Sequence, residues 1–170
     1  MIYREAEARD AAALAAFAER VFVSSFEQQV PRAELEPVAR QRFTVERQQA
    51  DIADSASTIY LALDREIAGY AQVVLGTRPK CELDANSPAQ LKRIYVDAAW
   101  HGHGVAQSLF ALVEAQAREQ QCDVLWLAVW DRNARGIAFY EKLGFRVIGT
   151  TMIAVGNLSL LHNYMSLPLS

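Results

Sequence analysis

The sequence predicts an α/β fold on a mixed sheet, antiparallel in its first half and carrying one parallel crossover near the middle. Three observations lead there. Residues 58–63 and 67–75 are β-rich runs separated only by Asp64-Arg65-Glu66, the pattern of a hairpin. Residues 91–96, an amphipathic stretch from Gly104 to about Gln120, and residues 124–130 follow as strand, helix and strand, the spacing of a right-handed parallel crossover. The last of these strands is nearly continuous in apolar residues, as expected when both faces are buried.

The remaining elements fall around that frame. Residues 2–4 read as a short strand. After Arg9-Asp10, the apolar residues Leu14, Phe17, Val21 and Phe22 recur at helical spacing, and residues 23–31 break the pattern. A second, more charged helix is expected from about residue 32 to 46, with Leu35, Val38 and Phe43 on its inner face. Residues 55–57 read as a turn, and residues 77–88, with two prolines and several charges, as a flexible loop. The crossover helix carries Val105, Leu109, Leu112, Val113 and Ala117 as one stripe. A last helix spans 133–143 and ends at Gly144 as a left-handed cap. Closing strands are expected at 145–149 and 164–167, with the segment between them unassigned.

A length of 170 residues fits one domain, residues 1–170, able to bury a core without staples. Hydrophobic residues make up 52% and charged residues 22%, near the globular average, and the net charge of −3 argues against non-specific nucleic-acid binding. Cys81 and Cys122 are too few and too separated for a disulfide framework and are expected as free thiols. No apolar run approaches the roughly 20 residues that span a bilayer. With no signal-peptide pattern at the start, a cytoplasmic protein without membrane contact is expected.

The segment richest in chemistry is His101-Gly102-His103-Gly104-Val105-Ala106-Gln107, between a strand and a helix. Unpaired N–H groups and the positive end of the helix dipole make such a junction an anion site, most naturally for phosphates. A dinucleotide fingerprint would want a third glycine where Gln107 stands, and Asp131 lies too far beyond the loop for the ribose contact. A nucleoside-triphosphate loop would want Lys and Ser or Thr where Val105-Ala106 stand. His101 and His103, with a distant His162, lack a third ligand at metal-site spacing, and no metal is expected.

With the segment Asn133, Ala138-Phe139-Tyr140-Glu141-Lys142-Leu143-Gly144-Phe145, this loop resembles the GCN5-related N-acetyltransferase (GNAT) family. Gly104 and Ala106 match the family's Gln/Arg-x-x-Gly-x-Gly/Ala pyrophosphate loop, and the second segment matches its Asn, Ala-x-x-Phe-Tyr-x-x-x-Gly-Phe pattern. The chain looks most like small bacterial polyamine N-acetyltransferases. The resemblance implies a mainly antiparallel twisted sheet with one central parallel β-α-β crossover and helices on both faces. It also implies acetyl-CoA as cosubstrate and a small primary amine as acceptor. The cofactor-binding residues it implies are Ile94, Tyr95, Val96, His101, Gly102, His103, Gly104, Val105, Ala106, Gln107, Asn133 and Lys142. The strand bearing Ile94 would splay from the strand bearing Trp126, leaving room for the pantetheine arm.

Tyr140 is implied as the acid for the departing thiolate, and a backbone N–H near Tyr95 or Val96 as the oxyanion donor. Many relatives carry a glutamate base where this chain has Lys92, and His101 replaces the family's Gln or Arg. Glu27, His162, Asp97 and a water chain remain as routes for the amine's proton, with Glu27 and water favoured. Lys92 repels a polycation and attracts a carboxylate-bearing acceptor. Asn163 stands where the family usually has an acidic residue. The rival reading, motivated by Lys92 and His101, is a non-catalytic acyl-CoA sensor or regulatory module. Relatives often dimerise, and the apolar run 158–161 would contribute to a homodimer interface.

Overall fold

The computed structural model describes residues 1–169; Ser170, the end of the expected 1–170 range, lies outside the described residues. The elements in order are β1 (Ile2–Glu5), a 3-10 turn (Ala8–Asp10), α1 (Ala11–Phe26), α2 (Arg32–Arg42), α3 (Val45–Ala53), β2 (Ser57–Asp64), β3 (Glu66–Leu75), β4 (Pro88–Val96), a second 3-10 turn (Ala98–Trp100), α4 (Val105–Glu119), β5 (Val124–Trp130), α5 (Ala134–Lys142), β6 (Arg146–Val155) and β7 (Leu158–Pro168). They form one seven-stranded sheet in the order β1-β2-β3-β4-β5-β7-β6. Among the described residues only β4 and β5 pair in parallel; every other neighbouring pair is antiparallel.

Period-two alternation sorts the strand residues into two cores. Tyr60, Ala62, Ala71, Val73, Leu125, Leu127 and Val129 pack with the apolar stripe of α4, and Ile137, Phe139 and Tyr140 of α5 close the same side. Ile59, Leu61, Tyr70 and Trp130 face the other way, against Leu14, Phe17, Val21 and Phe22 of α1 and Leu35 and Ala39 of α2. Helices therefore cover both faces, and β5 contributes to both cores as its continuous apolar sequence requires.

Several boundaries differ from those expected. Helix α1 continues to Phe26 because Phe26 extends the apolar stripe, its ring 5.1 Å from Phe22 and 5.4 Å from Trp130. The charged helix expected over 32–46 is two helices. Phe43 leaves helical backbone at φ −114 and ψ 48, buried against Phe22, and Thr44 then caps α3 by accepting from the Arg47 N–H. Strand β4 begins at Pro88 instead of 91: proline donates nothing, but its carbonyl accepts from the Gly76 N–H. The 76–87 segment is irregular yet tied down, since Trp126 Nε1–H donates to Thr77 O and the Asp123 carboxylate accepts from the Asn86 and Ser87 N–H groups.

The segment that had no assignment is the β6–β7 hairpin, closed by Gly156-Asn157 with Gly156 at φ 59. Cross-strand partners Met152 and Leu161, with Val147 and Leu158, leave apolar side chains exposed there. Cys81 and Cys122 are both free, and Cys122 is buried. Among the described residues no helix is long and apolar enough to cross a membrane.

The N-terminal strand is fixed to α1 by a bidentate pair, Arg4 Nη1 and Nη2 to the Asp10 carboxylate at 2.7 and 2.8 Å. Hydrogen bonds from Arg4, then the Glu7 N–H, hold the Asp10 carboxyl down to about 2. Asp10→Asn is therefore expected to lower unfolding free energy by about 1 to 2 kcal/mol near neutral pH. A depressed folded-state value stabilises above the unfolded value of about 3.9 and ceases to do so as pH falls toward 2. Urea midpoints of parent and variant should converge over that range; a gap constant with pH would contradict the assignment.

Candidate active site

The site originates in a register mismatch. Opposite β3, Gln72 pairs with Arg93 and Val73 with Leu91, so Lys92 is the extra residue of a bulge that bends β4. On its other side β4 pairs with β5 at only three positions, Pro88–Val124, Ala89–Leu125 and Gln90–Trp126. Beyond these, β4 stays with β3 as far as Val96 and β5 stays with β7 as far as Trp130, so the two strands part with facing edges unpaired. Asp97 N–H donates to Ala68 O at 2.8 Å, which fixes the alternation. Tyr95 backbone groups face β3, and those of Ile94 and Val96 face the gap.

Above the gap, Asp97 accepts from the Ala99 N–H and from Arg20, and its carboxyl is held below the usual range by these two contacts in that order. This turn delivers the chain to Gly102 and Gly104, at φ +81 and +79, where an added Cβ would meet nothing within 4 Å. Among the described residues, the N–H groups of Gly102, Gly104, Val105, Ala106 and Gln107 have no hydrogen-bond partner. They form an open row of donors at the positive end of α4. The His103 N–H is already given to Trp100 O.

His101, expected to donate to a ligand, spends both ring nitrogens within the chain. Nε2 contacts Val96 O at 2.9 Å, and Arg135 of α5 donates to Nδ1, which assigns the ring proton to Nε2. The imidazole is a strut between β4 and α5, and the cation beside the loop is Arg135. His103 points its Nδ1 at His101 O and lies edge-on to Trp100.

A cavity of about 330 Å³ occupies the gap and is lined from both cores. From the α4 and α5 face come Ile94, Val129, Asn133 and Tyr140; from the α1 and α2 face come Phe22, Phe26, Arg42, Arg93, Tyr95 and His162. Tyr140 packs edge-on against Phe139 and Phe145, and burial, then the neighbouring Tyr95, push its hydroxyl well above the ordinary phenol value. The group stays protonated at physiological pH. Asn133 caps α5 by accepting from the Gly136 N–H at 2.9 Å, and its amide borders the cavity.

Other expected residues lie elsewhere. Lys142 is exposed at the end of α5 and does not line the cavity. Glu27 is held by Arg32 at 2.9 Å and does not line it either. Asp97 is committed to the turn. His162, one of several proton routes considered from sequence, does face the cavity. Its Nδ1 donates to Leu160 O at 3.0 Å, leaving Nε2 as an acceptor, and burial lowers its pKa below the ordinary imidazole value.

Arg42 and Arg135 were not legible as site residues. Arg42 is one of several charges on a solvated-looking helix, and its inward placement depends on the break after it. Arg135 follows Asn133 by two positions, so the cap places it on the first turn of α5. That spacing is the only sequence signal for it.

A family model described as the acetyltransferase (GNAT) family matches residues 18–145, which include the bulge, the loop and Tyr140. The chain belongs to that family. An uncharacterised N-acetyltransferase of Mycobacterium tuberculosis is 31% identical over 93 residues, covering 55% of this GNAT chain and 54% of the relative. The spermine/spermidine N(1)-acetyltransferase of Bacillus subtilis is 25% identical over 91 residues, covering 52% and 59%. The chain thus spans somewhat more than half the length of these curated relatives. Among solved structures, the PaiA N-acetyltransferase of Thermoplasma acidophilum in complex with coenzyme A superposes with a TM-score of 0.79, 18% identity and coverage of 97% and 96%. The ribosomal-protein-S18-alanine N-acetyltransferase of Escherichia coli gives 0.69, 20%, 99% and 94%. At these identities the structural likeness is one of fold.

Gly104→Ala should cost about 1 kcal/mol in a denaturant titration, because a Cβ at this positive φ is strained although space is open. The same variant should bind coenzyme A more weakly by calorimetry, its Cβ standing beside the free N–H row. Unchanged affinity would detach the loop from diphosphate binding.

Proposed function

We propose that this GNAT chain transfers an acetyl group from acetyl-CoA to a primary amine of a small molecule by direct transfer, without a covalent enzyme intermediate. The observation that carries the reading is the cavity through the splayed strands, with a proton donor, Tyr140, from one face and a proton acceptor, His162, from the other. The donor side fits the cosubstrate. Free N–H groups at Gly102 and 104–107, with Arg135 nearby, suit a diphosphate, and the gap-facing backbone of Ile94 suits an amide of a pantetheine arm. When bound, acetyl-CoA supplies an acyl carbon activated by a thiol leaving group.

The chain's own residues supply the rest. The Val96 N–H faces the gap and donates to the carbonyl oxygen as charge develops on it. The carbonyl of the following peptide, Val96 O, is held by His101 Nε2, which fixes the end of the strand beside that N–H. His162 Nε2 accepts the proton lost by the amine as its nitrogen bonds to the acyl carbon. Tyr140 Oη gives a proton to the sulfur as the carbon–sulfur bond breaks, and solvent exchange restores both side chains. Glu27 has no part in this scheme, because its carboxylate is paired outside the cavity.

Tyr140→Phe should lower kcat by about a hundredfold while acetyl-CoA affinity stays near the parent value. Free-thiol release in a stopped assay checks it, and an unchanged kcat removes Tyr140 from the chemistry. Since burial lowers the His162 pKa, log kcat should rise with pH through an inflection below the ordinary imidazole value of about 6.5. His162→Gln should abolish that inflection; an identical acid limb in the variant would exclude this base. Tight acetyl-CoA binding with no thiol release from any amine would instead support a sensor.

A further inference from the structure

Resting on the acetyltransferase reading, we infer that the acceptor carries an anionic group, a carboxylate, that Arg42 reads beside an apolar pocket. Arg42 lies in the last turn of α2 with its guanidinium 5.2 Å from the Phe22 ring centre, and it lines the cavity. Among the described residues no carboxylate pairs with it. Burial lowers its pKa, and two further cations, Arg93 and Arg47, act in the same direction. A part-buried cation with like charges around it and no counter-ion is an arrangement that a bound anion would complete.

The rest of the floor has the same sign. Lys92 and Arg93 also line the cavity and share one carboxylate, Asp51, at 3.4 Å each, so three cations stand over one anion. Among the described residues no aspartate or glutamate lines the cavity, in a chain whose net charge is −3. Arg93 is further fixed by Gln72 Oε1 at 2.9 Å and by the Phe43 ring at 5.1 Å, and is thus a rigid part of the floor. Behind Tyr95, the buried Tyr70 hydroxyl has no hydrogen-bond partner among the described residues and lies within reach of the charges of Arg93, Asp51 and Arg42.

Opposite this floor the wall is apolar, formed by Phe26, Ile153, Val155 and Leu160. The acceptor side therefore reads an amine with a carboxylate on one flank and an apolar body on the other, as in an α-amino acid with an aromatic or aliphatic side chain. A polyamine places positive charge where the cavity already holds three cations. The cavity volume of about 330 Å³ suits a small molecule of that size.

Calorimetry on the full chain, with and without saturating coenzyme A, tests this without turnover, using N-acetyl-L-phenylalanine, N-acetyl-L-phenylalaninamide and N-acetylspermidine as product probes. The carboxylate should bind at least about tenfold tighter than the carboxamide, the magnitude of one charge-assisted contact. Arg42→Met should erase that ratio and Arg42→Lys should restore part of it, with circular dichroism verifying both folds. Equal affinities for acid and amide, preference for N-acetylspermidine, absence of binding by all three, or a ratio unchanged in Arg42→Met would each overturn the inference. Thiol release with L-phenylalanine, L-phenylalaninamide and spermidine separates the two levels. Release favouring spermidine leaves the acetyltransferase reading and removes the anionic acceptor, whereas carboxylate-selective binding with no release from any amine keeps the anion site and removes the transferase.

Discussion

The short parallel ladder between β4 and β5 is the constraint on which the rest depends. Three residue pairs hold the strands together, and then each follows its antiparallel neighbour. A parallel pair left open would normally waste backbone donors and acceptors in the middle of a sheet. Here the bulge at Lys92 bends one strand away and the exposed edges face a cavity. The gap also joins the two cores, so a ligand from the α4 side and another from the α1 side can meet without crossing the sheet.

The surroundings keep that gap open. Phe22, Phe26 and Trp130 brace α1 against β5, while His101 ties the end of β4 to α5 through Arg135. Arg20 and Asp97 fasten α1 to the turn that leads into the glycine loop. Each strut joins segments far apart in the chain, so the aperture is defined by long-range contacts even though its walls are locally regular strands and helices. Electrostatics divides the same space. Donor groups of the α4 terminus lie on one side, and Arg42, Lys92 and Arg93 over a single aspartate on the other.

Much of this was legible from residue order. The β2–β3 hairpin, the crossover helix, β5 and the Gly104 loop follow from alternation, helical spacing and glycine, because those are local properties. The family resemblance carried Tyr140 and the splay. What local patterns could not give was α3, since Phe43 ends α2 by tertiary burial against Phe22 and the charged sequence continues without a visible stop. The β6–β7 hairpin was obscured because its partly exposed strands alternate weakly; Gly156-Asn157 was its one clear mark. Side-chain partners were the hardest to read. Glu27 looked available until α2 brought Arg32 to it, and His101 looked like a ligand donor until Arg135 and Val96 took both nitrogens.

The central claim is that the opened edge of β4 and the free N–H row before α4 receive the donor while the α1 and α2 face is left for the acceptor. Residue-resolved amide hydrogen exchange with and without acetyl-CoA tests it most directly. The account predicts new protection at Val96, Gly102, Gly104, Val105, Ala106 and Gln107, with little change at Asp97 and His103, whose N–H groups are already given to Ala68 and Trp100. Protection confined to α1, α2 and the β6–β7 hairpin, with Val96 and the loop exchanging as before, would contradict it.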